Sequence, residues 1–147
     1  MKVHVQESEQ CTEMEVHILC RQRDEKVMGI LEFLTRGEKK IPAHKERKQT
    51  VLLAQQDIFY VESVDKRTFI YQAEQVYECD ARLYQLEERL MQTHFFRISK
   101  SMLVNITKVQ SIEPEGGRRL KIVLENGERL LVSRQYVREF KTKLGIK

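Results

Sequence analysis

Asn126-Gly127, set between the apolar runs 120–124 and Arg129–Val132, is the strongest short-range folding instruction in the chain. Both residues tolerate positive φ, so the pair selects a tight hairpin whose twist matches that of its strands. The texture around it is β-rich from Ile41 onward. Residues 50–53, 58–64 and 67–72 are dense in β-branched and aromatic side chains, and Val76–Cys79 follows across an Ala73-Glu74 turn. A further strand is expected over 109–113, broken by Pro114 and a Gly116-Gly117 turn.

Helices are few. Asp24 can cap one whose apolar stripe is Val27, Ile30, Leu31 and Leu34 and which Gly37 would end. Asp80 is expected to cap a second, with Leu83, Leu86 and Leu90 on one face. Ser133 is expected to cap the last, where Tyr136, Val137, Phe140 and Leu144 face inward and Gly145 closes the helix. Alternation in 1–8 (Val3, Val5) and 15–20 (Val16, Ile18, Cys20) predicts two short N-terminal strands. Residues 39–48 are a charged stretch containing Pro42 and are expected to connect an accessory segment, 1–40, to a domain over 41–147. A doubly wound parallel sheet needs a helix between successive strands, and this order does not supply them. The fold class is mainly β (α+β): small antiparallel sheets with a few short helices.

The 147 residues carry a net charge of +4. Residues 1–40 hold seven Lys/Arg against eight Asp/Glu, so the positive excess falls on 41–147. Within 129–147 stand Arg129, Arg134, Arg138, Lys141, Lys143 and Lys147 against the single acid Glu139. Such a stretch is either a solvated helix end or a surface that concentrates polyanions. Cys11, Cys20 and Cys79 leave an odd thiol under any pairing, and no apolar run approaches membrane-spanning length. A reduced, cytoplasmic protein is expected.

Catalytic chemistry is sparse. No Cys-x-x-Cys, His-Glu-x-x-His, glycine-rich phosphate loop or Gly-x-Ser-x-Gly occurs. His17 and Cys20 have ligand-like spacing, but on a strand an offset of three points them to opposite faces. No enzyme, metal, cofactor or small-molecule substrate is expected. Binding chemistry is richer, in three polar turns that carry cations or amides: Asp65-Lys66-Arg67, Arg97 through Asn105, and Ser133-Arg134. Turns project side chains beyond the scaffold. Arginine can fork onto guanine, asparagine pairs with adenine, and lysine neutralises phosphate.

Four blocks stand in order: Ile58-Phe59-Tyr60-Val61-Glu62-Ser63, the leucine-spaced 83–90, Phe96-Arg97-Ile98-Ser99-Lys100-Ser101-Met102-Leu103-Val104-Asn105, and Val132-Ser133-Arg134-Gln135-Tyr136. Over about 41–145 this arrangement resembles the LytTR DNA-binding domain family. The resemblance implies an elongated β-β-β domain that reads double-stranded DNA through loops rather than a recognition helix. Two loops would enter successive major grooves, a third would approach the minor groove between them, and the duplex would bend. Position by position, it assigns Lys66 and Arg67 to the first loop, Lys100 beside Ser99 to the middle contact, and Arg134 to the second major groove. Arg97 and Asn105 would brace the turn, with Ser133 and Arg138 in support.

Two departures shape the expectation. The family's usual His-Arg pair is Ser99-Lys100 here, and an ammonium cannot reproduce arginine's bidentate fork. Residues 1–40 are too short for a receiver domain and hold only Asp24 as a phosphate acceptor, so control by phosphorylation in cis is not expected. The resemblance therefore implies a stand-alone bacterial transcriptional regulator whose first 40 residues serve dimerisation or docking, a homodimer, and in some relatives a membrane-protein partner. The alternative is a non-catalytic protein-interaction module of the same fold.

Overall fold

The computed structural model describes residues 1–36, 40–46, 49–90 and 94–146. Among the described residues, ten strands form two sheets: β1 (Ile41–Lys45), β2 (Gln49–Leu53), β3 (Tyr60–Val64), β4 (Arg67–Tyr71), β5 (Val76–Cys79), β6 (Phe95–Ser99), β7 (Met102–Asn105), β8 (Val109–Glu115), β9 (Arg119–Leu124) and β10 (Arg129–Val132). The first sheet runs β2-β1-β5-β4-β3-β7-β6 and the second β10-β9-β8. Every pairing is antiparallel. The described residues also form three α-helices: α1 (Glu25–Arg36), α2 (Leu83–Leu90) and α3 (Arg134–Leu144). The expected fold class is the observed one.

Two apolar cores follow from the period-2 alternation of the strands. In β4, Thr68 and Ile70 point to one face and Arg67, Phe69 and Tyr71 to the other. The first core packs Leu83, Leu86 and Leu90 of α2 against Ile41, Val61, Ile70 and Leu103. The second lies between the sheets and beneath α3, joining Tyr60, Ile98 and Val104 to Leu120, Ile122, Val132 and Phe140. Polar contacts fix how the sheets cross. Asn126 Nδ2 donates to the Ala73 carbonyl at 3.1 Å. The Tyr60 hydroxyl donates to Glu128 Oε1 at 3.2 Å. Tyr60 also stacks on Tyr71 with ring centroids 4.2 Å apart. Burial, then the nearby Glu128 carboxylate, raises the Tyr60 pKa well above the usual phenol range, so the hydroxyl stays a donor.

Six expectations are corrected. Residues 1–8 and 15–20 form no strand, and Val3, Val5 and Val16 are exposed. Alternation supplies a face, but a strand also needs a neighbour for its backbone groups, and no strand among the described residues pairs with either segment. The opposite-face argument for His17 and Cys20 lapses with that strand; His17 Nε2 instead lies 3.0 Å from Glu15 Oε2. Within the stretch expected to be a connection, residues 41–45 form a strand, because β1 pairs with β2 from Ile41↔Leu53 to Lys45↔Gln49; residues 39, 47 and 48 lie outside the described residues. Pro42 is tolerated there because β5 meets β1 only at His44↔Glu78. Pro114 does not break β8, which continues through Pro114↔Leu120. As an edge strand, β8 can accommodate a residue without an N–H.

The remaining corrections concern caps. Asp80 does not cap α2; its Oδ1 lies 3.0 Å from His44 Nε2, while Gln85 Oε1 accepts the Arg82 N–H at 2.8 Å. Ser133 occupies the cap position of α3, but its hydroxyl makes no capping bond. Two other caps form as expected. Asp24 Oδ1 accepts the Val27 N–H at 3.0 Å. Gly145 takes φ 74° while the Ile146 N–H donates to the Lys141 carbonyl at 2.9 Å, a left-handed helix end. Gly37 and Lys147 lie outside the described residues.

Candidate nucleic-acid interface

Three turns named from the sequence come together at one end of the molecule. The β3–β4 turn is Asp65-Lys66, with Val64↔Arg67 closing the hairpin. Both turn residues sit at positive φ, 49° and 64°, the geometry that keeps a two-residue turn in step with strand twist. Lys66 is exposed at its tip. The β6–β7 turn is Lys100-Ser101, closed by Ser99↔Met102. Because β3 pairs with β7, the Ser63 N–H donates to the Ser101 carbonyl at 2.8 Å, which fixes the two turns side by side. The start of α3 joins them through the Ser133 N–H, which donates to the Ile98 carbonyl at 2.8 Å.

With strands about 4.8 Å apart, the two hairpin turns are centred roughly 10 Å from each other, and Arg134 stands about 15–20 Å from Lys66. Lys66, Lys100 and Arg134 are all exposed along this row, and Arg138, one helical turn beyond Arg134, is exposed as well. Arg67 is placed differently. Its guanidinium forks onto Glu78 with two 2.8 Å bonds and lies 5.2 Å from the Phe69 ring centroid. The Glu78 carboxylate also holds the Arg67 proton more tightly than usual. Arg67 keeps an exposed flank, its side chain being 58% accessible, but the fork is engaged within the sheet.

The neighbouring polar residues hold the row in shape. Arg97 Nε donates to Glu87 Oε2 at 2.8 Å and Nη1 to the Lys100 carbonyl at 2.5 Å, so α2 is tied to the turn that displays Lys100. The Ser99 hydroxyl accepts the Ser101 N–H at 3.2 Å, which turns it inward on its own hairpin. Asn105 is 2% exposed. Its Nδ2 donates to the Ile58 carbonyl at 2.8 Å, while Oδ1 accepts the Thr107 N–H at 3.1 Å and the Thr107 hydroxyl at 2.7 Å.

The sequence reading overlooked Arg82. Its Nη1 donates to the Lys66 carbonyl at 3.0 Å, and its exposed guanidinium sits behind the first turn. A signal was present: an arginine just before α2 opposes the helix dipole, so it needs another reason to be there.

Comparisons with known proteins show the family and the fold. The family model described as LytTr DNA-binding domain matches residues 48–145. Sensory transduction protein LytT of Enterococcus faecalis (strain ATCC 700802 / V583) is 38% identical over 95 residues, 65% of this chain and 39% of the relative. Transcriptional regulatory protein YpdB of Escherichia coli O6:H1 is 33% identical over 86 residues, 58% of this chain and 35% of the relative. The chain thus spans well under half the length of these curated relatives. Among solved structures, the LytTr DNA-binding domain of a Bacillus cereus response regulator superposes with a TM-score of 0.68 at 26% identity, covering 74% of this chain and 99% of that one.

Proposed function

The chain belongs to the LytTR DNA-binding domain family, and from that premise we propose that it is a bacterial, cytoplasmic transcriptional regulator that grips duplex DNA with the row of turns. Lys66 and Arg134 lie at the two ends, Lys100 between them, and Arg67 contributes once it leaves Glu78. Arg138 and Arg82 add positive charge along the same edge. The observation that supports this most is the convergence of three cation-bearing turns, far apart in sequence, through two backbone hydrogen bonds.

The backbone row is shorter than one helical turn of DNA, about 34 Å. Engaging two successive major grooves therefore needs extended side chains and a bent duplex, and the energy of bending becomes part of sequence preference. Because Lys100 contributes a point charge where the family carries a fork, this proposal gives it backbone contact rather than base reading.

Arg134→Ala is expected to weaken binding to a preferred site by about 1–3 kcal/mol while changing random-duplex affinity much less. Gel shifts on both duplexes check this, and equal losses on the two would remove Arg134 from base reading. A second reading, regulation by holding a protein partner, is supported by α1, where Met28, Phe33 and Leu34 stay exposed. In the leading reading the same surface serves a homodimer or a membrane-protein partner.

A further inference from the structure

A fourth cationic turn stands at the same end and is used by nothing described above. β8 and β9 pair through Glu115↔Arg119 and Pro114↔Leu120, while β9 and β10 pair through Leu120↔Val132. The turn Gly116–Arg118 therefore sits where Val132 passes the chain to Ser133 and Arg134. α3 packs beside it.

The turn is built to hold an arginine outward. Gly117 has φ 74° and Arg118 φ 62°, so a full side chain is kept in a region that L residues seldom adopt. Arg119 Nε donates to the Gly116 carbonyl at 2.9 Å and closes the loop. Arg118 is exposed, and among the described residues it takes part in no ion pair. The nearby Glu113 carboxylate is already held by Lys121 at 2.9 Å. A Cβ added at Gly116 would meet nothing within 4 Å, so the backbone there is open to close approach. The arrangement repeats that of the β6–β7 turn, where Arg97 bonds back to the turn carbonyl and Lys100 is displayed.

We infer that the Gly116–Arg118 turn is a phosphate-binding site next to Arg134, with Arg118 as the contact and Arg119 as its brace. The ligand is the phosphodiester backbone rather than a base edge. A guanidinium can meet either phosphate or a guanine edge, and a loss that is equal on every sequence marks the first. The site rests on the DNA reading and extends it beyond the three turns.

The test is the affinity of the full chain for a long random duplex across a salt series, for wild type, Arg118→Gln and Arg118→Lys. Arg118→Gln is expected to flatten the log–log salt slope by about 0.9 and to weaken low-salt binding roughly three- to tenfold on every sequence tried. Arg118→Lys should restore most of both, with the melting temperature unchanged in each variant. If wild type binds steeply and Arg118→Gln matches it, the phosphate site is wrong while the DNA reading stands. If Arg118→Lys fails to recover, the residue shapes the turn rather than contacting phosphate, and the inference falls. If wild type shows no salt-dependent binding, the DNA reading fails and takes this site with it.

Discussion

Phe140→Ala is expected to lower the unfolding free energy by about 3–5 kcal/mol, the range for deleting a fully buried aromatic ring. Phe140 is 0% exposed in the core shared by the two sheets and α3, and its ring lies 5.7 Å from that of Phe96 at a 57° tilt. Removal leaves a void that neighbouring β-strands cannot collapse to fill, because their register is fixed by backbone pairing. At about 2–4 °C per kcal/mol for a domain of this size, calorimetry should record a fall in Tm on the order of 10 °C. The loss also reaches the proposed interface. Phe140 is the fully buried anchor of α3, and α3 carries Arg134 and Arg138. DNA affinity should therefore fall further than the unfolded fraction explains. A fall in stability below about 1 kcal/mol would mean that α3 is held mainly by something else.

Asn105→Ala is expected to destabilise by about 2–4 kcal/mol, through loss of bonding rather than volume. It would strand the Ile58 carbonyl and the Thr107 N–H, both now paired to one buried amide. Urea denaturation reads this directly. Corrected for the folded fraction, sequence preference on DNA should not change, because Asn105 faces the interior. A shift in preferred sequence with stability intact would make Asn105 a base contact instead.

Much of the sheet architecture was legible because local chemistry and tertiary context agreed. Asn126-Gly127 marked the hairpin, although only Gly127 takes positive φ, 89°, and the loop closes as the Gly127 N–H donates to the Leu124 carbonyl at 2.9 Å, so the turn is wider than the pair alone implied. The leucines at 83, 86 and 90 needed only helical spacing. Legibility failed where the outcome depended on a neighbour. Alternation at Val3 and Val5 could not reveal that no strand would pair with it. Pro42 and Pro114 read as breakers because an isolated sequence does not say which strands are edges or only partly paired.

The candidate site divides the same way. Cations on turns could be read from residue type. That three of those turns share one end depends on β3 pairing with β7 and on Ser133 meeting Ile98, which are contacts 38 and 35 residues apart in the chain. The Arg67–Glu78 fork was invisible for the same reason: Phe69↔Glu78 is a register, and register is set by the whole sheet.

The claim on which the rest depends is that DNA meets the molecule along this one end. Amide chemical shifts of the labelled chain, followed as duplex DNA is titrated in, test it most directly. The account predicts that changes concentrate at residues 65–67, 99–101 and 133–138, joined by 116–118 if the phosphate site holds, while the turns at 73–75 and 126–128 at the other end of the strands stay still. Changes centred on those opposite turns, or none at the three cationic ones at saturating DNA, would contradict it.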